Sequence, residues 1–487
     1  MKRKKLEIVF VSPEVAPFAK TGGLADVAES LPKALAALDC QIKVFLPLYR
    51  QVKLQKLPLK LIKDNIKIKI KKTNLYFSLY TFRDKGVNFF FIRNDRFFNR
   101  KYLYSTVKKD YPDNALRFAF FSQAVLAGLM HIRSRPDVIH CNEWQSALIP
   151  FYLKFLKHYL DYFKNTKTVF TIHNLIYQGL FSKKVMSEIG INKKFFNWKG
   201  LEFYGKLSLI KAGLIYSDAL TTVSRGYARE ILTWKFGCGL EGLLNMRKDR
   251  LYGIVNGVDY NQWNPKKDKF LKFNYDNKDL GSKLNCKKDL LKSLGLEVDP
   301  ARPLLGNVSR LVPNKGIDII LESLDDIIKL NCCLVLLGLG NDDVNRRLKV
   351  LAKDYPKRIA VKVGFDNSLA HKIEAGCDIY LMPSRYEPCG LNQLYSLKYG
   401  TIPIVGAVGG LDDTIIDYRY DKKKGNGFKL KPVNKREFLR ALRYAVEMFA
   451  DKKSWNKIVS RVMTSDFSWK KSAKEYIKLY RGILSSR

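Results

Sequence analysis

The 487-residue chain is short of cysteine, of histidine and of negative charge, and each shortage narrows what it can be. Its eight cysteines follow no zinc-ligand spacing, and Cys332 and Cys333 are adjacent within an apolar stretch. That usage reads as a reduced, cytoplasmic protein with no structural metal. No apolar run approaches the roughly 18 residues that a membrane-spanning helix needs, so no membrane partner is expected. The opening MKRKKLEIVFVSPE superficially resembles a signal peptide, but its apolar run is only Ile8–Val11 before a proline, and it reads as a first strand. Acidic residues number 46 against 87 Lys and Arg, a net charge of +41. Such an excess raises polyanion partners: nucleic acid, a membrane surface or a phosphorylated ligand. The cations are spread along the chain, however, with only short runs such as Lys2–Lys5 and Lys422–Lys424. Nucleic-acid domains concentrate charge on one element, so no nucleic-acid partner is expected. Most of the excess reads as solvated surface, with some facing an anionic ligand. There is no G-x-x-x-x-G-K-[ST] loop and no G-x-G-x-x-G after the first strand, which argues against NTPase and dehydrogenase chemistry.

What is present is a globular composition, 46% hydrophobic and 13% aromatic, in a chain long enough for two or three domains. Leu6–Val11 predicts a buried strand, and Val27, Leu31, Leu35 and Leu38 mark a helical face in which Pro32 predicts a kink or a late start. Further strands are expected at Ile42–Leu46, Val138–Cys141, Thr168–Ile172 and Ala219–Val223, with an alternating hairpin or meander at 59–92 and a helix at Pro112–Met130. Residues 256–303 turn polar and lysine-rich and read as the crossing between domains. A second series follows at Leu304–Ser309, Cys332–Gly338, Ile359–Val363, Asp378–Leu381 and Ile402–Val405, and a last helix at Trp469–Leu484. Strands alternating with helices predict an α/β fold of two Rossmann-like, doubly wound parallel-sheet domains facing across a deep cleft. The boundaries read as 1–262 and 263–465, with a C-terminal helix, 466–487, packing back on the first domain.

In such sheets ligands bind beyond the carboxyl ends of the strands, so the residues after each strand matter most. After the first strand, Lys20 precedes Gly22 and Gly23, where glycine allows close backbone approach and lysine neutralises phosphate. Asn142, Glu143 and Trp144 follow a later strand, Trp144 reading as packing. His173 ends TVFTI. Lys211 reads as surface. In the second series Arg310 and Lys315, five apart before a helix, suit a diphosphate. The stretch MPSRYEPCGLNQLYSLKYG, 382–400, carries a carboxylate at Glu387 and passes Cys389 and Gly390 before opening a helix at Leu391. A carboxylate beside the free N–H groups of a helix start suits a sugar with a phosphate leaving group. A nucleotide-sugar transferase is the natural enzyme reading.

These and further segments — KTGGLADV (20–27), YPDNALRFAFFSQA (111–124), HCNEWQSALIP (140–150), FTIHNLIYQG (170–179), GLEGLL (239–244), NGVDYNQWNP (256–265), SRLVPNKG (309–316) and GGLDDTI (409–415) — together resemble the bacterial glycogen synthase and plastid starch synthase family over nearly the whole chain. The resemblance implies the GT-B fold and retaining transfer of glucose from ADP-glucose to the non-reducing end of an α-1,4-glucan such as glycogen. It implies Lys20, Gly22 and Gly23 at the pyrophosphate and glucose, and Arg310 and Lys315 on the diphosphate. It places Phe365 on adenine, Glu387 at the donor glucose, His173 at the reaction centre, and Glu143 and Asn256 on the glucose and acceptor side. Cys389, Gly390, Leu391 and Asn392 line the same stretch, Cys389 as a bystander. Four positions depart from the usual pattern: Asn142 for histidine, Glu143 for aspartate, Glu241 for aspartate and Asn392 for threonine. Tyr395 stands where many related retaining transferases carry a second glutamate, so a front-face mechanism is expected, without metal or cofactor and with closure between the domains. The rival readings are a UDP-glucose transferase and an inactive glucan- or polyanion-binding protein.

Overall fold

The computed structural model describes residues 5–486. Three cations of the Lys2–Lys5 run, and Arg487 at the end of the expected final helix, lie outside the described residues. The described chain divides into two α/β units. The first comprises the residues up to Val223, Ala228–Gly257 and those from Trp469 on; the second comprises Ser224–Tyr227 and Val258–Ser468.

In the first unit the strands run β1 (Glu7–Val11), β2 (Gln41–Pro47), β3 (Lys60–Ile70), β4 (Thr73–Asp84), β5 (Val87–Arg93), β6 (Val138–Asn142), β7 (Lys167–Ile172), β8 (Leu180–Ser182), β9 (Glu202–Phe203), β10 (Lys206–Ser208), β11 (Ala219–Thr222) and β12 (Leu251–Gly253). Nine of them form one sheet in the order β12-β11-β7-β6-β1-β2-β5-β4-β3, while β8, β10 and β9 form a small sheet of their own. The central strands pair in parallel, and β3–β4–β5 is the expected antiparallel meander at one edge. The parallel strands are apolar on both faces, Ile8–Val11 being fully buried. The meander alternates instead: Ile66, Ile68 and Ile70 are buried while Lys67 and Lys69 face water, so part of the basic excess coats one sheet face. The first helix, Gly23–Ala36, starts directly at the glycine pair and runs through Pro32, so the expected late start is not observed. The last helix, Trp469–Ser485, joins this unit through Ser472 Oγ, which donates to Val255 O (2.6 Å), and through Tyr480, whose hydroxyl meets His140 Nδ1 at 2.7 Å.

The second unit carries β13 (Leu304–Val308), β14 (Cys333–Gly338), β15 (Ile359–Val363), β16 (Ile379–Met382), β17 (Ile402–Gly406) and β18 (Phe428–Leu430), in the all-parallel order β15-β14-β13-β16-β17-β18. The segment expected as a crossing is largely part of this unit. Its helix Leu280–Ser293 buries Lys283, which donates to Ala375 O (2.8 Å) and Cys377 O (3.1 Å), and Lys287, which pairs with Asp378 at 2.7 Å. A lysine-heavy stretch mimics a linker, yet these two ammonium groups cap backbone carbonyls inside the fold. In both sheets the strand order reverses at the first strand: β1 lies between β2 and β6, and β13 between β14 and β16. Ligands of open parallel sheets bind at such reversals.

Candidate functional site

At the reversal in the first unit, the loop after β1 is organised by Glu14, a residue the motif reading passed over. Its buried carboxylate accepts from Thr21 Oγ1 (2.6 Å), the Gly22 backbone N–H (3.3 Å) and the Tyr104 hydroxyl (2.9 Å). The only sequence signal for it is an acid six residues ahead of Lys20 in an otherwise apolar loop. Gly22 then caps the helix with φ −156°, and no side chain caps the first N–H groups of the helix. A Cβ on Gly22 or Gly23 would meet no protein atom within 4 Å, and neither residue has a left-handed backbone. Nothing inside the chain therefore requires glycine here. Lys20 is exposed, and its Nζ pairs with Asp26 one turn along that helix (2.6 Å).

The loops after β6 and β7 interlock. Asn142 Nδ2 donates to Val11 O (3.1 Å), which fixes the amide so that its Oδ1 faces His173 Nε2 at 2.9 Å. An amide oxygen only accepts, so His173 carries its proton on Nε2 and offers a lone pair at Nδ1. Burial depresses the imidazole pKa, keeping the ring neutral at physiological pH. Glu143, with a left-handed φ of +61°, turns its carboxylate onto the backbone N–H groups of His173 (2.7 Å) and Asn174 (3.0 Å). Burial pushes that carboxyl up to about 8, against the two donors, which favour the ionised form. Both substitutions in the H-C-N-E-W stretch thus act on the placement of His173. Trp144 is packing, as read: its ring meets Phe118 (5.1 Å) and Phe181 (5.7 Å) edge-on. Asn256 is buried, and among the described residues its Oδ1 has no hydrogen-bond partner, a state that a bound polar ligand relieves. Lys211, expected on the surface, is buried, its Nζ donating to Trp198 O (2.9 Å) and Glu202 O (2.6 Å). Position along a helix gave no sign that the ammonium caps an adjoining loop.

At the reversal in the second unit, the loops after β13 and β16 bring Lys315 and Glu387 into a short ion pair between partly buried groups. The pair is held by backbone contacts that exclude side chains. A Cβ on Gly316 (φ +75°) would fall 2.1 Å from Pro383 O, and one on Gly409 (φ +44°) 2.1 Å from Glu387 O. Arg310 is exposed, and among the described residues its guanidinium has no hydrogen-bond or ion-pair partner. The helix Asn392–Tyr399 opens after Leu391, its N-cap, with Gly390 at φ +72° and no side-chain cap. Asn392 Nδ2 donates to Val308 O (2.8 Å) and to the Tyr380 hydroxyl (2.6 Å), tying the helix start to β13. Cys389 is buried. Tyr395 stacks on Trp263 (3.9 Å, 4° between planes), with His371 on the opposite face (3.8 Å, 8°). The position eight beyond Glu387 therefore provides a packed ring and no second carboxylate. Phe365, after β15, is 89% exposed and packs on no core.

Each unit thus presents at its strand reversal a helix start that no side chain caps, the second with the Lys315 ammonium paired to Glu387 just ahead of it, an arrangement suited to a phosphorylated ligand. A starch synthase catalytic domain model matches residues 7–246, and a group 1 glycosyl transferase model matches residues 295–459. The glycogen synthase of Koribacter versatilis is 44% identical over 98% of this chain and 98% of its own. That of Geotalea daltonii is 42% identical over 99% and 100%. Among solved structures, the catalytic domain of starch synthase IV from Arabidopsis thaliana, bound to ADP and acarbose, superposes with a TM-score of 0.90 at 32% identity, over 99% of this chain and 100% of that one. With this sequence kinship over its full length and the same two parallel-sheet units, the chain belongs to the glycogen and starch synthase family of GT-B glycosyltransferases.

Proposed function

We propose that the chain transfers glucose from ADP-glucose to the non-reducing 4-hydroxyl of an α-1,4-glucan with retention of configuration. The observation that carries the donor half is the Lys315–Glu387 pair, with the exposed Arg310 guanidinium on the same loop after β13. In this reading Arg310 and Lys315 hold the diphosphate and stabilise its charge as it departs, helped by the N–H groups at Gly390, Leu391 and Asn392. Glu387 orients Lys315 and receives hydroxyls of the donor glucose. The neutral His173 accepts a glucose hydroxyl at Nδ1, while Glu143 positions it. Gly22 and Gly23 admit the donor close to the backbone, Lys20 adds charge there, Asn256 fills its open oxygen with a sugar hydroxyl, and Phe365 stacks on adenine.

The bond from C1 to the phosphate oxygen breaks as the bond from C1 to the acceptor O4 forms on the same face. The acceptor proton passes to the departing phosphate, so no second carboxylate is required, in keeping with the packed Tyr395. A double displacement would need a nucleophile about 5 Å from its partner acid. Arg310 and Lys315 supply the positive charge, and turnover is expected to survive EDTA; loss with EDTA and recovery with Mg²⁺ would refute this part. Glucose transfer to glycogen from ADP-glucose and from UDP-glucose, with product linkage read by NMR, tests the whole. α-1,4 product chiefly from ADP-glucose is expected. Preference for UDP-glucose would reassign the base, and no transfer from either donor would overturn the reading.

A further inference from the structure

Among the exposed aromatic rings of the first unit, three lie on segments that the fold joins. Tyr177, in the loop leaving His173, is 55% exposed, Tyr204 80% and Trp234 84%. Three separate segments carry them, and the fold draws those segments together. Gln178 Nε2, next to Tyr177, donates to Cys238 O (2.9 Å), and the Tyr204 ring lies 3.1 Å from where a Cβ on Gly239 would stand. Trp234 leads into the same loop, which is stiffened by the Gly237 N–H on Thr233 O (2.7 Å) and by Asn245 Nδ2 on Leu232 O (2.8 Å).

Tyr204 is the most telling of the three. It occupies the first position of the two-residue turn between β9 and β10, at φ +46° ahead of Gly205 at +77°. Such turns favour Asn or Asp there, because a left-handed backbone crowds a bulky Cβ. A tyrosine in that place loses stability and gains only an edge contact with Phe203. Isolated exposed apolar side chains are ordinary, but exposed rings on several segments that the fold joins mark a binding surface.

We propose that Tyr177, Tyr204 and Trp234 form a platform for the α-1,4-glucan acceptor, gripping residues beyond the one being extended; this rests on the function proposed above. The C–H faces of pyranose rings stack on aromatic faces, and a flexible glucan can follow several exposed rings along a surface. Tyr177 lies four residues from His173 on one loop, which ties the platform to the proposed reaction centre. Exposed Lys206 and Lys235 lie within two residues of Tyr204 and Trp234 in the chain, which makes single-stranded nucleic acid the competing occupant.

The test uses the full chain with Trp234→Ala and Tyr204→Asn, singly and combined; asparagine suits the turn, so folding is not the variable. The double variant is expected to lose about tenfold or more in glycogen affinity by native gel retardation and to raise the KM for glycogen similarly, with ADP affinity changed by less than about twofold. Unchanged glycogen retention and KM in an enzyme that transfers glucose would overturn the platform while sparing the proposed function. Loss of retention by the double variant, in a chain whose wild type binds glycogen but transfers no glucose, would do the reverse. Loss of binding to a single-stranded RNA oligonucleotide with glycogen retention intact would assign the rings to nucleic acid and overturn the proposal.

Discussion

Glu143 and Glu387 occupy matching places in their sheets, each beyond the strand that lies beside the first strand at the reversal, and both are buried. Their partners differ. Glu143 meets two backbone N–H groups and, among the described residues, no cation, and its carboxyl is pushed up to about 8. Glu387 meets the Lys315 ammonium, in a loop locked by glycine contacts. A carboxylate satisfied by backbone clamps a loop, here the one carrying His173. One paired with a movable lysine side chain keeps a charge that a substrate can reorganise. Burial alone does not separate the two roles; the chemistry of the partner does.

The largest expected effect comes from Glu387→Ala, which should lower kcat/KM by roughly 10³-fold, the scale of losing a preorganised transition-state contact. ADP affinity should change only a few-fold, and turnover within tenfold of wild type would erase the distinction from Glu143. Next, the Arg310→Ala, Lys315→Ala double variant should lose about 3 kcal/mol of transition-state stabilisation. A loss of less than tenfold in kcat/KM would remove both cations from the leaving group.

Glu143→Gln should act on the fold through pH. A carboxyl raised in the folded state binds its proton more tightly than the unfolded chain does, so wild-type stability is full below the ordinary carboxylate range and falls as pH rises toward about 8. The slope approaches about 1.4 kcal/mol per pH unit for one proton. Melting curves from pH 5 to 8 should show that decline in wild type and a flatter profile in the variant; parallel profiles would mean Glu143 is ionised throughout. The smallest change in stability is expected for Gly22→Ala, within about 0.5 kcal/mol, because its Cβ meets open space. The KM for ADP-glucose should still rise. Gly409→Ala, whose Cβ would strike Glu387 O, should unfold far more readily, and equal melting of the two variants would break the contrast.

Much of the architecture was legible because parallel strands are apolar on both faces and the meander alternates, two patterns that single residues carry. The short strands β8, β9, β10, β12 and β18 were not, since two or three residues hold too little periodicity to register. The motif loops pointed to Lys20, His173, Arg310, Lys315 and Glu387, and the structure brings Lys315 onto Glu387 across 72 residues of chain.

By itself, then, the sequence determined the succession of strands and helices and the polar residues at the strand ends, because hydrophobic periodicity and turn chemistry act over a few neighbouring positions. Tertiary structure alone decided that Glu14 organises the glycine loop, that Asn142 sets the His173 tautomer, that Lys211 caps a loop and that Tyr395 is a stacking partner. Those assignments depend on which hydrogen-bond donor or ring the fold carries to within a few ångströms from tens of residues away, and local pattern holds no record of that distance.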